Sequence, residues 1–255
     1  MLGPERHRAI LNSLAESGSV SNATLAARLR ISAATLRRDL TLLADRSLLR
    51  RTHGGILPAD YSLRDDSFEH KAAKAATIKT KLGIAAAGLL PTEGTIFIDG
   101  GTTCLEVGRA LIDRPKLSIF TNSIPLLSLG GAAKAKLSSI GGELRPVSMA
   151  LTGSFSQSWL EHLHFDAAVI GCSGIVEAKG PATTEFAEAA VKVEALRRAR
   201  VRILVASGDK WLVPAAITFA PWSSFTYVVT DRSLGRVPRA VLQSVGVKIS
   251  NPVEK

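Results

Sequence analysis

Apolar residues recur at helical spacing three times within the first 45 positions. Over residues 5–16, Ile10, Leu11 and Leu14 share one helical face, and Gly18 supplies a stop signal. Ser21 can cap a second short helix with Leu25, Ala26 and Leu29 on one side, and Arg30-Ile31-Ser32 turns the chain into a third. Ser32 is a good N-cap there, because its hydroxyl can accept an orphan backbone N–H of the first turn. Leu36, Leu40 and Leu43 then recur at spacings of four and three. At 100° per residue, Ala34, Arg38 and Thr41 point away from that stripe, flanked by Thr35 and Arg37. Residues 48–56 begin as an extended run with two arginines and end near a glycine pair, which predicts a small hairpin. The layout is a helix-turn-helix followed by a wing.

Beyond this the periodicity changes. Residues 58–70 mix proline, serine and charge without a period and read as a linker, dividing a domain over residues 1–57 from a larger one over residues 71–255. One helix is predicted over residues 71–90, ended by Pro91. Short apolar, β-branched runs follow at residues 95–99, 117–121, 137–141, 166–171, 201–206, 226–230 and 247–250. Helical stretches lie between them, most clearly at residues 103–112, 154–163, 184–198 and 236–245. Strand and helix in alternation predict an α/β domain on a mostly parallel sheet covered on both faces.

In such sheets ligands bind beyond the carboxyl ends of the strands, so the residues just after each strand carry the information. After the first comes Asp99-Gly100-Gly101-Thr102-Thr103 and then a helix. Two glycines let the backbone approach a ligand, two threonines offer hydroxyls, and a helix N-terminus presents free N–H groups, which together suit a phosphate. The loop is not a Walker A motif, since the Gly-Lys-Ser/Thr ending is missing. Later strand ends supply Thr121-Asn122-Ser123, Gly141-Gly142-Glu143-Leu144-Arg145, Gly171-Cys172-Ser173-Gly174 and Asp209-Lys210. Any one of these is also what an ordinary polar turn looks like. Together they point to a small, polyhydroxylated anion such as a phosphorylated sugar.

Charge sharpens the reading of the first domain. Residues 1–57 hold nine arginines, no lysine and four acidic residues, and so carry half of the net +10 of the 255-residue chain. Arginine suits forked hydrogen bonding to phosphate and to base edges, so the partner expected is double-stranded DNA. With 46% hydrophobic and 21% charged residues the chain is an ordinary globular one. No basic amphipathic segment, no leader-like apolar run in the first residues and no span of about 18 uncharged apolar residues suggests a membrane. Cys104 and Cys172 provide neither a disulfide framework nor spaced zinc ligands, which fits a reducing cytoplasm. No metal, cofactor or catalytic group is called for; the expected ligand is a small-molecule effector.

The runs Arg6-His7-Arg8-Ala9-Ile10-Leu11, Thr35-Leu36-Arg37-Arg38-Asp39-Leu40 and Leu48-Leu49-Arg50-Arg51-Thr52-His53-Gly54-Gly55 resemble the winged helix of the DeoR family of bacterial transcriptional regulators. The strand-end loops and residues 184–192 resemble that family's effector-sensing domain. The resemblance implies a sensor related in fold to ribose-5-phosphate isomerase that binds phosphorylated sugars or related metabolites. It further implies a repressor of a sugar or carbon catabolic operon, working as a homo-oligomer, dimer or tetramer, and released from operator DNA by its effector. On this reading Ser32, Thr35, Arg37, Arg38 and Thr41 face the major groove, while Arg50, Arg51 and His53 hold the wing on the DNA backbone. The effector site takes in Asp99, Gly100, Gly101, Thr102, Thr103 and Asn122. Arg145, Gly171, Ser173, Gly174, Glu185 and Lys210 complete it.

One departure from the family pattern is Ala206-Ser207-Gly208-Asp209-Lys210-Trp211, where Ser207 stands at the usual aspartate position. Trp211, beside Lys210, is a candidate cover for the pocket. Two other readings stay open. An isomerase-like enzyme could use Asp99, Glu143, Glu185 or Asp209 as bases. A regulator could instead answer a non-sugar or redox signal, with Cys104 at a helix N-terminus as a low-pKa thiol.

Overall fold

The leucine stripes of the first three helices meet in one small core. The computed structural model describes residues 3–17, 20–51, 55–59, 66–176, 179–212, 215–232, 234 and 236–252. The chain divides into two compact units, Met1–Arg64 and Asp65–Lys255. The first contains α1 (Gly3–Ser17), β1 (Val20–Ser21), α2 (Asn22–Leu29), α3 (Ala33–Asp45), β2 (Leu49–Arg51) and β3 (Gly55–Pro58). Ile10 and Leu14 of α1, Leu25 of α2, and Leu36, Leu40 and Leu43 of α3 are buried together with Val20, Leu49 and Ile56. Ser32 caps α3, accepting from the Thr35 N–H at 3.1 Å. Ser21, read from the sequence as the cap of the second helix, closes β1 immediately before α2.

The two turns that orient α3 share one device. Arg30 (φ +53°) and Ser47 (φ +57°) both adopt the left-handed conformation. At the first, the Arg30 and Ile31 N–H groups reach back to Ala27 and Ala26; at the second, those of Ser47 and Leu48 reach Ala44 and Leu43. This pair of bonds satisfies the carbonyls orphaned at a helix end. The predicted wing is present as the antiparallel pair β2 and β3, and β3 also pairs with β1, giving the sheet order β1-β3-β2.

The second unit opens with α4 (Phe68–Ala73), α5 (Ala76–Gly88), β4 (Gly94–Ile98), α6 (Thr102–Arg109), β5 (Leu117–Thr121), α7 (Ile124–Leu127) and β6 (Lys136–Ser139). The hairpin β7 (Glu143–Arg145) and β8 (Ala150–Thr152) leads through α8 (Ser154–Leu160) to β9 (Phe165–Ile170). Then come β10 (Gly174–Val176), β11 (Gly180–Thr183), α9 (Phe186–Arg197), β12 (Ala199–Val205), β13 (Ile217–Thr218), β14 (Tyr227–Val229), α10 (Arg236–Ser244) and β15 (Lys248–Ser250). Each of the seven apolar runs read from the sequence supplies one strand of a seven-stranded parallel sheet of order β15-β14-β12-β9-β4-β5-β6.

Period-two alternation puts a separate core on each face of this sheet. Ile96, Ile98, Ala167, Val169, Ile203 and Val205 pack against α5, α6 and α7. Phe97, Ala168, Ile170 and Leu204, their neighbours in sequence, pack against α8, α9 and α10. A one-residue slip of β4 would exchange Phe97 for the isoleucines on both faces, so the register is strongly specified.

The single helix predicted over residues 71–90 is two. A break at Lys74 and Ala75, with Ala75 at φ +55°, separates α4 from α5. Helix already begins at Phe68, inside the stretch read as linker, where the Ser67 hydroxyl caps it by accepting the His70 N–H. Lys79 bridges the break. Its ammonium is buried and donates to the carbonyl oxygens of Lys71 and Lys74, holding the end of α4 against α5.

Candidate functional site

The carboxyl ends of β4, β5, β9 and β12 border one cleft of about 880 Å³ counted out to its open mouth. Gly101 starts α6 at φ +107°, a conformation that favours glycine, and the first turn of α6 borders the cleft at Thr102 and Thr103. The sheet holds this loop from behind. The Asp99 N–H donates to the Val169 carbonyl at 3.0 Å, and the Thr121 hydroxyl donates to the Ile98 carbonyl at 2.6 Å.

At the floor lies a buried ion pair. The Lys192 ammonium donates to Asp99 Oδ2, which also accepts the Gly171 N–H at 3.1 Å. Burial pushes the Lys192 pKa down, but the charges of Asp99 and Glu188 outweigh it and hold the pKa above the usual lysine value, so the ammonium stays charged. Glu188 in turn accepts from Arg145 at 3.2 Å and from the Thr183 hydroxyl at 3.1 Å. Each charge of the pair has its opposite within hydrogen-bond reach, which is the condition for tolerating charge at this depth.

Toward the rim the balance becomes cationic. Lys71, Lys74 and Lys79 reach the cleft from the α4–α5 break and Lys210 from the loop after β12. Burial, followed by repulsion from Lys210, lowers the Lys79 pKa from the usual lysine value despite attraction from Asp209. Burial raises the Asp209 pKa, but the Ser207 hydroxyl, donating at 2.5 Å, and the charges of Lys210 and Lys74 bring it below the ordinary carboxylate value. Ser207 itself is not among the residues that border the cleft; its hydroxyl is turned to Asp209.

Of the residues read as effector contacts, Asp99, Gly100, Gly101, Thr102, Thr103, Asn122, Gly171, Ser173 and Lys210 border the cleft. Arg145, Gly174 and Glu185 do not. Arg145 is turned to Glu188, Gly174 is buried in β10 opposite Ala182, and the Glu185 carboxylate caps α9 by accepting the Ala187 N–H at 3.2 Å. Trp211 is no cover either. It is buried, stacked on Trp222 at 5.5 Å between ring centroids, with its indole N–H on Thr230. Nor is Cys104 a low-pKa thiol: burial pushes it well above the ordinary value, and pushes Cys172 up to about 12.

Sequence reasoning missed Lys192, Lys79, Lys71, Lys74, Glu188 and Ser148, all of which border the cleft. A signal existed for two of them. Glu188 and Lys192 stand four apart in a helix that is otherwise apolar on most sides, so neither could reach water from a buried position. The lysines of the α4–α5 break had no such signal, because an unbroken helix over residues 71–90 keeps them away from the strand ends.

The first unit presents a different surface. Arg37, Arg38 and Thr41 of α3 are exposed, opposite the buried leucines, and Thr35 is half-buried beside Ser32. Thr41 donates to the Arg37 carbonyl and accepts from Arg51 Nη1 at 2.6 Å, which ties β2 to the outer face of α3. Arg50 is exposed on β2; His53 lies outside the described residues. Not every arginine is available to a partner. Arg6 grips Asp39 through Nε at 2.7 Å and Nη2 at 3.0 Å, and His7 adds a third contact, pinning α1 to α3. The Arg6 bond is the main reason that the Asp39 pKa lies below the usual carboxylate value.

Both units match known protein families in sequence. Residues 6–60 match the DeoR-like helix-turn-helix domain and residues 74–232 the DeoR C terminal sensor domain. The HTH-type transcriptional repressor CsqR of Escherichia coli K12 is 31% identical over 257 residues, covering 100% of this chain and 97% of its own. The glycerol-3-phosphate regulon repressor of the same strain is 28% identical over 228 residues, covering 89% and 90%. A solved ribose 5-phosphate isomerase A from Methanocaldococcus jannaschii aligns with 53% of this chain and 54% of its own at 15% identity and a TM-score of 0.39. The relatives that match along nearly the whole chain are regulators and not enzymes, and no helix among the described residues is long and apolar enough to cross a membrane. This chain belongs to the DeoR family of DNA-binding transcriptional regulators.

Proposed function

We propose that the chain is a repressor of a sugar or carbon catabolic operon, displaced from operator DNA when a phosphorylated sugar or related metabolite occupies the cleft of the second unit. The observation that carries the effector half is that Lys71, Lys74 and Lys210 border the same cleft as the Gly100–Thr103 loop at the strand ends. α3 lies in the major groove with Arg37 and Arg38 nearest the bases, and Arg50 and Arg51 bring the wing to the phosphates. One such helix covers a single half-site, so paired half-sites need a dimer or tetramer. The protein works in the cytoplasm.

A ligand shifts DNA affinity only by binding two states unequally. α4 is the first described helix of the second unit in chain order and carries Lys71, a cleft residue, so an anion that draws Lys71 or Lys74 inward acts on the segment joined covalently to the first unit.

The test is binding to the DNA upstream of the chain's own gene and its genomic neighbours, titrated at fixed salt with sugar phosphates and glycerol 3-phosphate. The expected result is sequence-specific binding weakened by one phosphorylated compound. Specific binding indifferent to the whole panel would remove the phosphorylated effector, and binding without sequence preference would remove the operator.

A further inference from the structure

The cleft is bordered both by cations and by neutral polar groups. Lys71, Lys74 and Lys210 border it together with the carboxylates of Asp66 and Asp209. A second group forms around Gly100, where an added Cβ would lie 3.0 Å from the Ala150 Cβ and 3.7 Å from Asn122 Oδ1. Two atoms in that group have no hydrogen-bond partner among the described residues. They are Asn122 Oδ1, on a side chain in a residue only 1% exposed, and the buried Oγ of Ser148. Both residues border the cleft.

The two are held together by backbone. The Leu151 N–H donates to the Asn122 carbonyl at 2.8 Å, and the Ile124 N–H to the Met149 carbonyl at 3.0 Å. Ser123 and Ala150 form an isolated bridge, which ties the β7–β8 turn to the end of β5. Met149 stands between Ser148 and that bridge at φ +51°, a conformation that residues with side chains rarely adopt. Such outliers cluster at ligand clamps.

The chemistry of the unpartnered atoms narrows what can satisfy them. An amide oxygen only accepts, whereas a serine hydroxyl can donate or accept. The dianion of a phosphate monoester has no proton for Asn122 Oδ1. A carbon-borne hydroxyl has one, and leaving a buried acceptor unmet is costly. We propose that Asn122 and Ser148 form a hydroxyl-reading subsite that selects a phosphorylated polyol or sugar over other phosphate-bearing anions. The inference rests on the effector reading above and adds to it the part of the ligand that is recognised.

Calorimetric titration of the full chain with inorganic phosphate, glycerol 3-phosphate, fructose 6-phosphate, ribose 5-phosphate and 2-deoxyribose 5-phosphate tests it. Wild type should bind at least one hydroxylated phosphate about tenfold or more tighter than inorganic phosphate. Ser148→Ala and Asn122→Leu should each lower that ratio about tenfold, the scale of one lost hydrogen bond with a group left unpaired. Ser148→Thr, which keeps the hydroxyl, should retain most of it, and a thermal midpoint matching wild type guards against a folding defect in Asn122→Leu. A wild-type preference that survives both Ser148→Ala and Asn122→Leu overturns the subsite and leaves the effector reading standing, as does a wild type that binds hydroxylated phosphates no better than inorganic phosphate. A wild type that binds no phosphate at all overturns the effector reading, and this inference with it.

Discussion

The two units place their cations in opposite environments. In the first, Arg37 and Arg38 stand exposed on a helix face whose other side is leucine. In the second, Lys192 and Lys79 are buried, one on Asp99 and the other on backbone carbonyls. An exposed cation interacts through water and salt, so it contributes affinity for a polyanion while affecting stability little. A buried one is held by named partners, so it fixes geometry, and removing Lys192 exposes the cost of the Asp99 charge left behind. The same residue class thus serves attraction in one unit and shape in the other.

The contrast can be broken most severely at the floor of the cleft. Lys192→Ala leaves Asp99 buried without its partner and should destabilise the second unit by about 3–5 kcal/mol, read by denaturant unfolding of the full chain. A loss under 1 kcal/mol would mean that water reaches Asp99 and that the pair is not sealed. On the other unit, Arg37→Ala should leave unfolding nearly unchanged and cost about 1–3 kcal/mol in operator binding, relaxing preference at one base pair. Arg51→Ala should weaken specific and random DNA alike and reduce the salt slope by about one. Equal losses on both DNAs for both variants would erase the distinction between reading and anchoring.

The smallest effect sharpens the contrast within the first unit, where Arg6 is the exception that behaves like a buried cation. Asp39 has a folded-state pKa below its unfolded value, chiefly through the Arg6 hydrogen bond. A depressed acid stabilises the fold above its unfolded pKa, and that stability is lost as pH falls through the lower, folded one. Thermal midpoints of the first unit should therefore be flat at neutral pH and drop below the usual aspartate range, while Asp39→Asn should flatten that drop. A variant whose acid limb matches wild type would show that Arg6 and Asp39 are not coupled.

Much of this was legible from periodicity. The seven strands and the two-faced sheet follow from short β-branched runs alternating with helices, because a strand buried on both faces must be apolar at every position. The Asp99–Thr103 loop, Asn122 and Lys210 could be placed at the cleft because strand ends in a parallel sheet gather at one edge. Arg145, Gly174 and Glu185 failed that rule. They too follow or flank strands, but a helix cap, a buried ladder position and an acidic neighbour each claimed one, and such competition is set by residues distant in the chain.

By itself the sequence determined the class of each unit, the face of α3 that stays outside and the strand ends that border the cleft, since all three depend on spacing along one segment. Only the tertiary structure decided that residues 71–90 break at Ala75 to deliver three lysines, that Lys192 crosses 93 positions to meet Asp99, and that Ser148 shares a wall with Asn122. Those outcomes depend on which buried polar group finds which partner. That choice is made when segments pack together, because a charge or amide removed from water must be satisfied by whatever the fold brings within reach.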